Sequence, residues 1–333
     1  LAESAKFFSI DELGEMPPPR WIISDMFEAN SLVMVAGPPG SFKSFLVLDW
    51  LLCMATGRNW NGKDTEAATV LYVLGEGRAS LLKRIQTWMH YNRVTELEKE
   101  RLRKNFKVTF EVPQMAQKAS VDNMLVSLVE EQFQPSVIAI DTFARSFVGM
   151  DENSQKDVGL WVESADRLRG LGYTVIFLHH TAKNTEFGVR YRGSTAIMGA
   201  MDTAMTLMRE TDIPHGVKLS ITKQKDHDEG DPLYFMRTIV TPPGQEEGSI
   251  VLVPTQLRDD RFTEDGQKME KVIEELINDA TFESDRARGR ELSRQFSLSE
   301  AAGQSKISRF RRAGKVKQET RHEILPDSIS PLF

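Results

Sequence analysis

The chain has 333 residues, room for one large domain with a small companion, and its 40% hydrophobic content supplies a core. A formal net charge of −6 excludes a uniformly basic coat, so any contact with nucleic acid must come from local patches. Cys53 is the single cysteine; this excludes a disulfide within the chain, favours a reducing, cytoplasmic setting, and leaves the thiol as packing.

No apolar run reaches the roughly eighteen residues that a membrane span needs, and no signal-peptide pattern opens the chain. It begins with Leu1 rather than Met, which suggests a trimmed or excised piece of something longer. Residues 1–30 read as an arm: the prolines of MPPPRW at 16–21 enforce an extended path and end a helix begun near residues 10–13. Such an arm serves either as a lid on a sheet edge or as a contact with a neighbouring subunit.

Residues 31–50, SLVMVAGPPGSFKSFLVLDW, organise the rest. An apolar strand meets a Gly/Pro-rich turn, then Lys43 and Ser44, then a helix with apolar side chains at Phe45, Leu46, Leu48, Leu51 and Leu52. That order makes a phosphate-binding loop, in which backbone N–H groups and a helix N-terminus wrap a triphosphate. Gly37, Pro38, Pro39, Gly40, Ser41, Phe42, Lys43, Ser44 and Phe45 form the candidate cradle. Lys43 reaches the β- and γ-phosphates as a point charge, and the Ser44 hydroxyl ligates Mg²⁺. Phe42 departs from the pattern, which asks for glycine before the lysine.

After the polar turn RNWNGKD at 58–64, the run TVLYVLGEG at 69–77 reads as a buried parallel strand that delivers Glu76 to the ligand edge of an open sheet. A helix is expected over 80–91, with Leu81, Leu82, Ile85 and Met89 apolar, followed by a charged stretch that continues or ends it. The strand 137–140 ends in Asp141, a second contact for a Mg²⁺–triphosphate. A helix over 158–171, with Leu160, Ala165, Leu168 and Leu171 inward, ends at Gly172; the strand 173–178 then leads into His179 and His180. Glu76, Asp141 and His179 thus end three successive strands in alternating β/α order, which argues for a nucleotide hydrolase more strongly than any one of them.

Strands at 202–208 and 217–222 lead into a hairpin with its turn in HDEGDP, and 250–253 adds a further strand. The ATPase core is therefore expected over 31–260. An amphipathic helix at 268–278 opens a small module over 265–325, and residues 289–320 read as helix, turn, helix and basic wing, with Arg294, Lys306, Arg309, Arg311, Arg312, Lys315 and Lys317. This winged-helix-like module suits DNA phosphate or a protein surface; residues 326–333 are expected as a tail. No spacing of Cys and His suits a metal cluster, and no Gly-x-Ser-x-Gly elbow is present.

From about residue 8 to residue 253 the chain resembles the RecA-like replicative helicases of the RepA type, relatives of the DnaB-type ring helicases. The resemblance is carried by GPPGSFKS (37–44), GEG (75–77), AIDTFAR (139–145), LHHTAK (178–183) and RGSTA (192–196), together with the MPPPRW arm. It implies an α/β fold, a RecA-like P-loop NTPase core around a mostly parallel central sheet, using ATP and Mg²⁺. It also implies that Glu76 is the general base, that Asp141 holds the metal, and that His179 and His180 sit where the γ-phosphate is sensed. Arg190, Arg192 and Gly193 would touch the backbone of single-stranded DNA in a central channel; a Gly-bearing loop with two arginines suits sequence-blind phosphate contact. Lys223 and Lys225 fall where relatives carry a basic pair reaching a neighbour's γ-phosphate, although lysine at the second place lacks the arginine fork, and Arg209 or Arg192 could act instead. The implied assembly is a ring, of hexameric type, working on single-stranded DNA with other replication proteins at the nucleoid. Two other readings stay open: a recombination or repair ATPase forming filaments, and a DNA-binding regulator or loader using ATP as a switch.

Overall fold

Apolar runs bounded by turn residues become the strands of one nine-stranded sheet. The computed structural model describes residues 7–181, 195–210, 215–255, 264–279, 281–282, 284–296, 300, 303–304 and 306–308. Two compact units divide at 255/256. The first holds α1 (Ile10–Gly14), β1 (Trp21–Ile23), β2 (Phe27–Glu28), β3 (Leu32–Gly37), α2 (Lys43–Thr56), β4 (Val70–Leu74), α3 (Leu81–Tyr91), α4 (Glu96–Asn105) and β5 (Phe106–Thr109). It continues with α5 (Lys118–Glu130), β6 (Val137–Asp141), α6 (Gln155–Gly170), β7 (Thr174–His180), α7 (Thr195–Ala200), β8 (Thr203–Arg209), β9 (Gly216–Gln224), β10 (Leu233–Val240) and β11 (Ser249–Pro254).

The sheet order is β11-β10-β9-β8-β3-β7-β6-β4-β5. From β8 to β5 every pairing is parallel, whereas β9, β10 and β11 join by antiparallel pairings. The chain leaves β3 and re-enters the sheet at β4, beyond β7 and β6, while β8 closes the other flank. The carboxyl end of β3 is therefore where the winding reverses, which is where open α/β sheets leave a crevice for ligands. This is the RecA-like arrangement of an α/β fold.

Both faces of the sheet are covered, and strand alternation decides which side chain goes where. On β3, Val33 and Val35 enter the core cluster that contains α2, whereas Leu32, Met34 and Ala36 enter the cluster that contains α6. On β7, Ile176 and Leu178 face α2, and Val175 and Phe177 face α6. On β6, Val137 and Ala139 face α2; on β4, Val70, Tyr72 and Leu74 do. Helix α2 is buried along nearly its whole length, with Leu46, Trp50, Leu51, Leu52 and Met54 fully covered. Each such side chain contributes about 1.5–3 kcal/mol of burial, which fixes the helix that carries Lys43 at its N-terminus.

Several local expectations change. The inward stripe of α6 is Val158, Trp161, Ala165 and Leu168, spaced three and four residues apart, while Leu160 and Leu171 face solvent. On α3, Leu81 and Trp88 are buried and Leu82 is exposed. Within the expected arm, Ile22, Ile23, Met26 and Phe27 are buried in the core, and α1 has a capping box from Ser9 and Glu12 but no buried residue.

The second unit, Gln256–Phe333, contains α8 (Glu264–Asn278) and α9 (Asp285–Phe296). Ile273, Leu276, Leu292 and Ile307 make its small core. A Cβ on Gly303 would strike the Gly289 carbonyl, so the backbones cross there in contact. Arg288 donates from Nε to the Leu276 carbonyl at 2.7 Å and from Nη2 to the Asp279 carbonyl at 3.2 Å, closing the end of α8. Arg309, Arg311, Arg312, Lys315, Lys317 and residues 326–333 lie outside the described residues, as do Arg190, Arg192 and Gly193.

Candidate active site

The loop between β3 and α2 is shaped by two glycines and a tightly held lysine. A Cβ on Gly37 would collide with the Leu207 carbonyl of β8, and Gly40 has φ +76. Lys43 is buried, and its Nζ donates to the carbonyls of Gly37 (2.8 Å) and Pro38 (3.1 Å). Burial lowers its pKa to about 8, against the opposing pull of Asp141 and Glu76. Those charges act on Lys43 together, so strands β4 and β6 deliver their carboxylates to the loop's own lysine.

Asp141 is buried at the end of β6, facing α2 by strand alternation. It accepts hydrogen bonds from Ser44 and from the Tyr72 hydroxyl, the latter at 2.8 Å. Burial raises its pKa, and the two hydrogen bonds and Lys43 oppose that rise. Tyr72 is fully buried, and burial lifts its phenol well above the ordinary value, so it stays a donor. Nothing in the motif pattern singled out Tyr72. A tyrosine inside the otherwise apolar run TVLYVL was nevertheless a signal, because a buried hydroxyl needs a partner.

Glu76 stands exposed on the rim just past β4, with Arg145 Nε at 3.0 Å from its Oε1. The histidines divide by alternation. His179 continues the α6-facing row of Val175 and Phe177, buried with its ring 5.0 Å from that of Phe143. His180 continues the α2-facing row, and its Nδ1 lies 3.4 Å from Lys43 Nζ. Lys43, Ser44, Asp141, Glu76 and His180 thus gather at one rim, with His179 on the other face of the sheet.

Phe42 takes the left-handed conformation, φ 72 and ψ 21, that the missing glycine would adopt freely. Its ring packs edge-on against Phe45 at 6.1 Å, with Arg209 Cζ 5.1 Å and Arg237 Cζ 5.4 Å from its centroid. Arg209 also donates from Nε to the Gly40 carbonyl at 2.9 Å, so β8 grips the loop through its own arginine. Phe42→Gly should relieve about 1–2 kcal/mol of backbone strain. It should also lose two cation–π contacts of about 0.5–1 kcal/mol each. The melting temperature should therefore move by less than about 4 °C, and a calorimetric melt checks this.

Lys223 and Lys225 lie at the opposite rim. Lys223 Nζ donates to the Met198 and Gly199 carbonyls of α7 at 2.8 and 3.1 Å. Lys225 Nζ is 3.4 Å from Asp202, whose carboxylate also accepts from the Leu32 N–H at the start of β3. The phosphate loop begins at the other end of that six-residue strand, roughly 17 Å away at about 3.3 Å per residue.

The residues fit a Mg²⁺–nucleotide. A hydroxyl and a carboxylate are hard oxygen donors, and Mg²⁺ takes one or two such groups with substrate phosphates and water. Among the described residues no three His, Cys, Asp or Glu side chains could form an all-protein cage. No helix among the described residues is long and apolar enough to cross a membrane.

A phosphate loop at the switch point of a mostly parallel sheet, with a buried lysine and strand-end carboxylates converging on it, defines a RecA-like P-loop ATPase. The chain belongs to the AAA domain family, whose model matches residues 2–186. No curated protein matches the sequence. Among solved structures, the chain is similar to the RadB recombinase at 16% identity, covering 63% of this chain and 88% of that one with a TM-score of 0.44. It is similar to the flagellar accessory protein FlaH from Methanocaldococcus jannaschii at 12% identity, with coverages of 68% and 90% and a TM-score of 0.46. A KaiC-like protein from Pyrococcus horikoshii OT3 has 17% identity, coverages of 70% and 94%, and a TM-score of 0.46.

Proposed function

We propose that this ATPase is the motor of a replicative DNA helicase, a ring of hexameric type that moves on single-stranded DNA and couples ATP hydrolysis to unwinding. The observation carrying this reading is the separation of the two basic groups from the phosphate loop. Lys223 and Lys225 stand at the far rim of the sheet, too distant to touch the chain's own γ-phosphate; in this reading they leave their contacts with α7 and Asp202 to meet a neighbour's. A site completed across a subunit boundary makes turnover depend on assembly.

Within each site, Lys43 exchanges its contacts with the Gly37 and Pro38 carbonyls for phosphate oxygens. Ser44 and Asp141 would hold Mg²⁺, which when bound neutralises charge developing on the phosphates. Glu76 orients and polarises the attacking water, and His180, beside Lys43, is the strand-end group able to register the γ-phosphate. Arg190, Arg192 and Gly193 supply the contacts to single-stranded DNA.

The test is ATP turnover across a range of protein concentrations, with and without single-stranded DNA, alongside electron micrographs of the assembly. The rate per protomer should rise with concentration and with DNA, and closed rings should be visible. Filaments would favour the recombination reading, and a constant rate per protomer would sink the shared site. Glu76→Gln should lower the rate by about 10²- to 10⁴-fold while nucleotide still binds; wild-type turnover already at background would instead favour a switch.

A further inference from the structure

Glu76 sits between Gly75 and Gly77, the latter at φ +78, on an exposed rim. Its side chain is half exposed, so close packing alone does not hold the carboxylate in one place. Yet a carboxylate that must aim a water at phosphorus has to be held within a fraction of an ångström. Among the described residues, Arg145 is its hydrogen-bonding partner, Nε to Oε1 at 3.0 Å.

Arg145 is itself anchored through its backbone and the base of its side chain. Its N–H donates to the Thr142 carbonyl at 3.0 Å, and its carbonyl accepts from Gln114 Nε2 at 3.0 Å. Its stem lies over Gly75: a Cβ there would come 2.9 Å from Arg145 Cγ and 3.0 Å from Arg145 Cβ. Gly75 in turn donates its N–H to the Asp141 carbonyl at 2.6 Å. The arginine is thus anchored to the strand that carries Asp141, and the missing side chain at Gly75 admits it. An ion pair half-exposed on both sides contributes little to stability.

We propose that Arg145 is a positioning residue: it holds one oxygen of Glu76, fixing the carboxylate so that the other oxygen faces the attacking water. The proposal rests on the reading of Glu76 as the group that orients water. Arg145 acts through Glu76 and does not touch the nucleotide. Gly75 belongs to the same device, since a side chain there would crowd both the arginine's stem and the Asp141 carbonyl.

The experiment is a double-mutant cycle on the full chain, measuring kcat with single-stranded DNA and nucleotide affinity with a fluorescent ATP analogue. Arg145→Ala should lower kcat about tenfold or more while affinity stays within about twofold. In the Glu76→Gln background the same change should alter the residual rate by less than about twofold. Arg145→Gln, which keeps the stem over Gly75 and deletes the charge, should reproduce the loss and guards against misfolding of the alanine variant. The proposal is overturned if both variants keep wild-type kcat, if the loss lies wholly in affinity, or if it persists in full without the Glu76 carboxylate. Wild-type activity of Glu76→Gln alone would instead refute the underlying role of Glu76, an outcome distinct from the other three.

Discussion

Replacing Lys43 with alanine should lower ATP turnover by about 10²- to 10³-fold and remove most nucleotide affinity, while the protein still folds. The charge is buried and desolvation already pulls its pKa to about 8, so deleting it relieves a penalty as well as losing the bonds to the Gly37 and Pro38 carbonyls. Pro38 is half-buried beside the exposed Pro39, so water can take the place of Nζ at its carbonyl, while the Gly37 carbonyl is buried. The loop shape itself is fixed elsewhere, by Gly37 against Leu207 and by Arg209 on Gly40. A steady-state ATPase assay paired with a thermal melt separates the two effects. Wild-type turnover in the alanine variant would remove Lys43 from the chemistry.

The second large effect is on stability and comes from Asp49, on the buried helix behind the loop. Its carboxylate accepts from two indoles, Trp60 Nε1 at 2.7 Å and Trp88 Nε1 at 2.6 Å, and from the Cys53 thiol at 3.9 Å. One group thus ties α2 to α3 and to the turn after α2. Asp49→Ala strands two donors and should cost about 3 kcal/mol, read from chemical denaturation. Burial raises the Asp49 pKa to about 6, with the three hydrogen bonds opposing. The unfolded carboxyl titrates near 3.9, so between about pH 4 and 6 the folded chain binds the extra proton and this group's contribution to stability falls as pH rises. The loss is complete above the folded value and is about 3 kcal/mol across the window. Asp49→Asn should flatten that slope; an unchanged slope would assign it to other carboxylates.

The central strands were legible because β3, β4, β6 and β7 are buried on both faces and read as apolar runs stopped by turn or polar residues. The region from α4 to α5 was not. Helix α4, ELEKERLRKN, is mostly charged, and β5 begins at the next residue with no intervening turn signal and only half-buried side chains. A sign was present in the capping box of Thr95 and Glu98. At the site, the residue types were readable but their direction was not. Counting alternately from Phe177 separates His179 from His180, and counting from Val137 brings Asp141 to the α2 face, a rule that needs only the strand register. Arg145 and the two indoles on Asp49 were beyond such counting. Their partners are 69, 11 and 39 residues away in sequence, and only the folded sheet and its helices bring them together.

Gly37 and Leu207 meet backbone to backbone, with no side chain between them to yield. Strand β8 and the loop therefore cannot slide past each other, and β8 pairs in turn with β9 through a ladder whose register shifts between Ala204 and Met205. Any rearrangement of the loop must therefore carry the neighbouring strand with it, since neither can give way alone at that point.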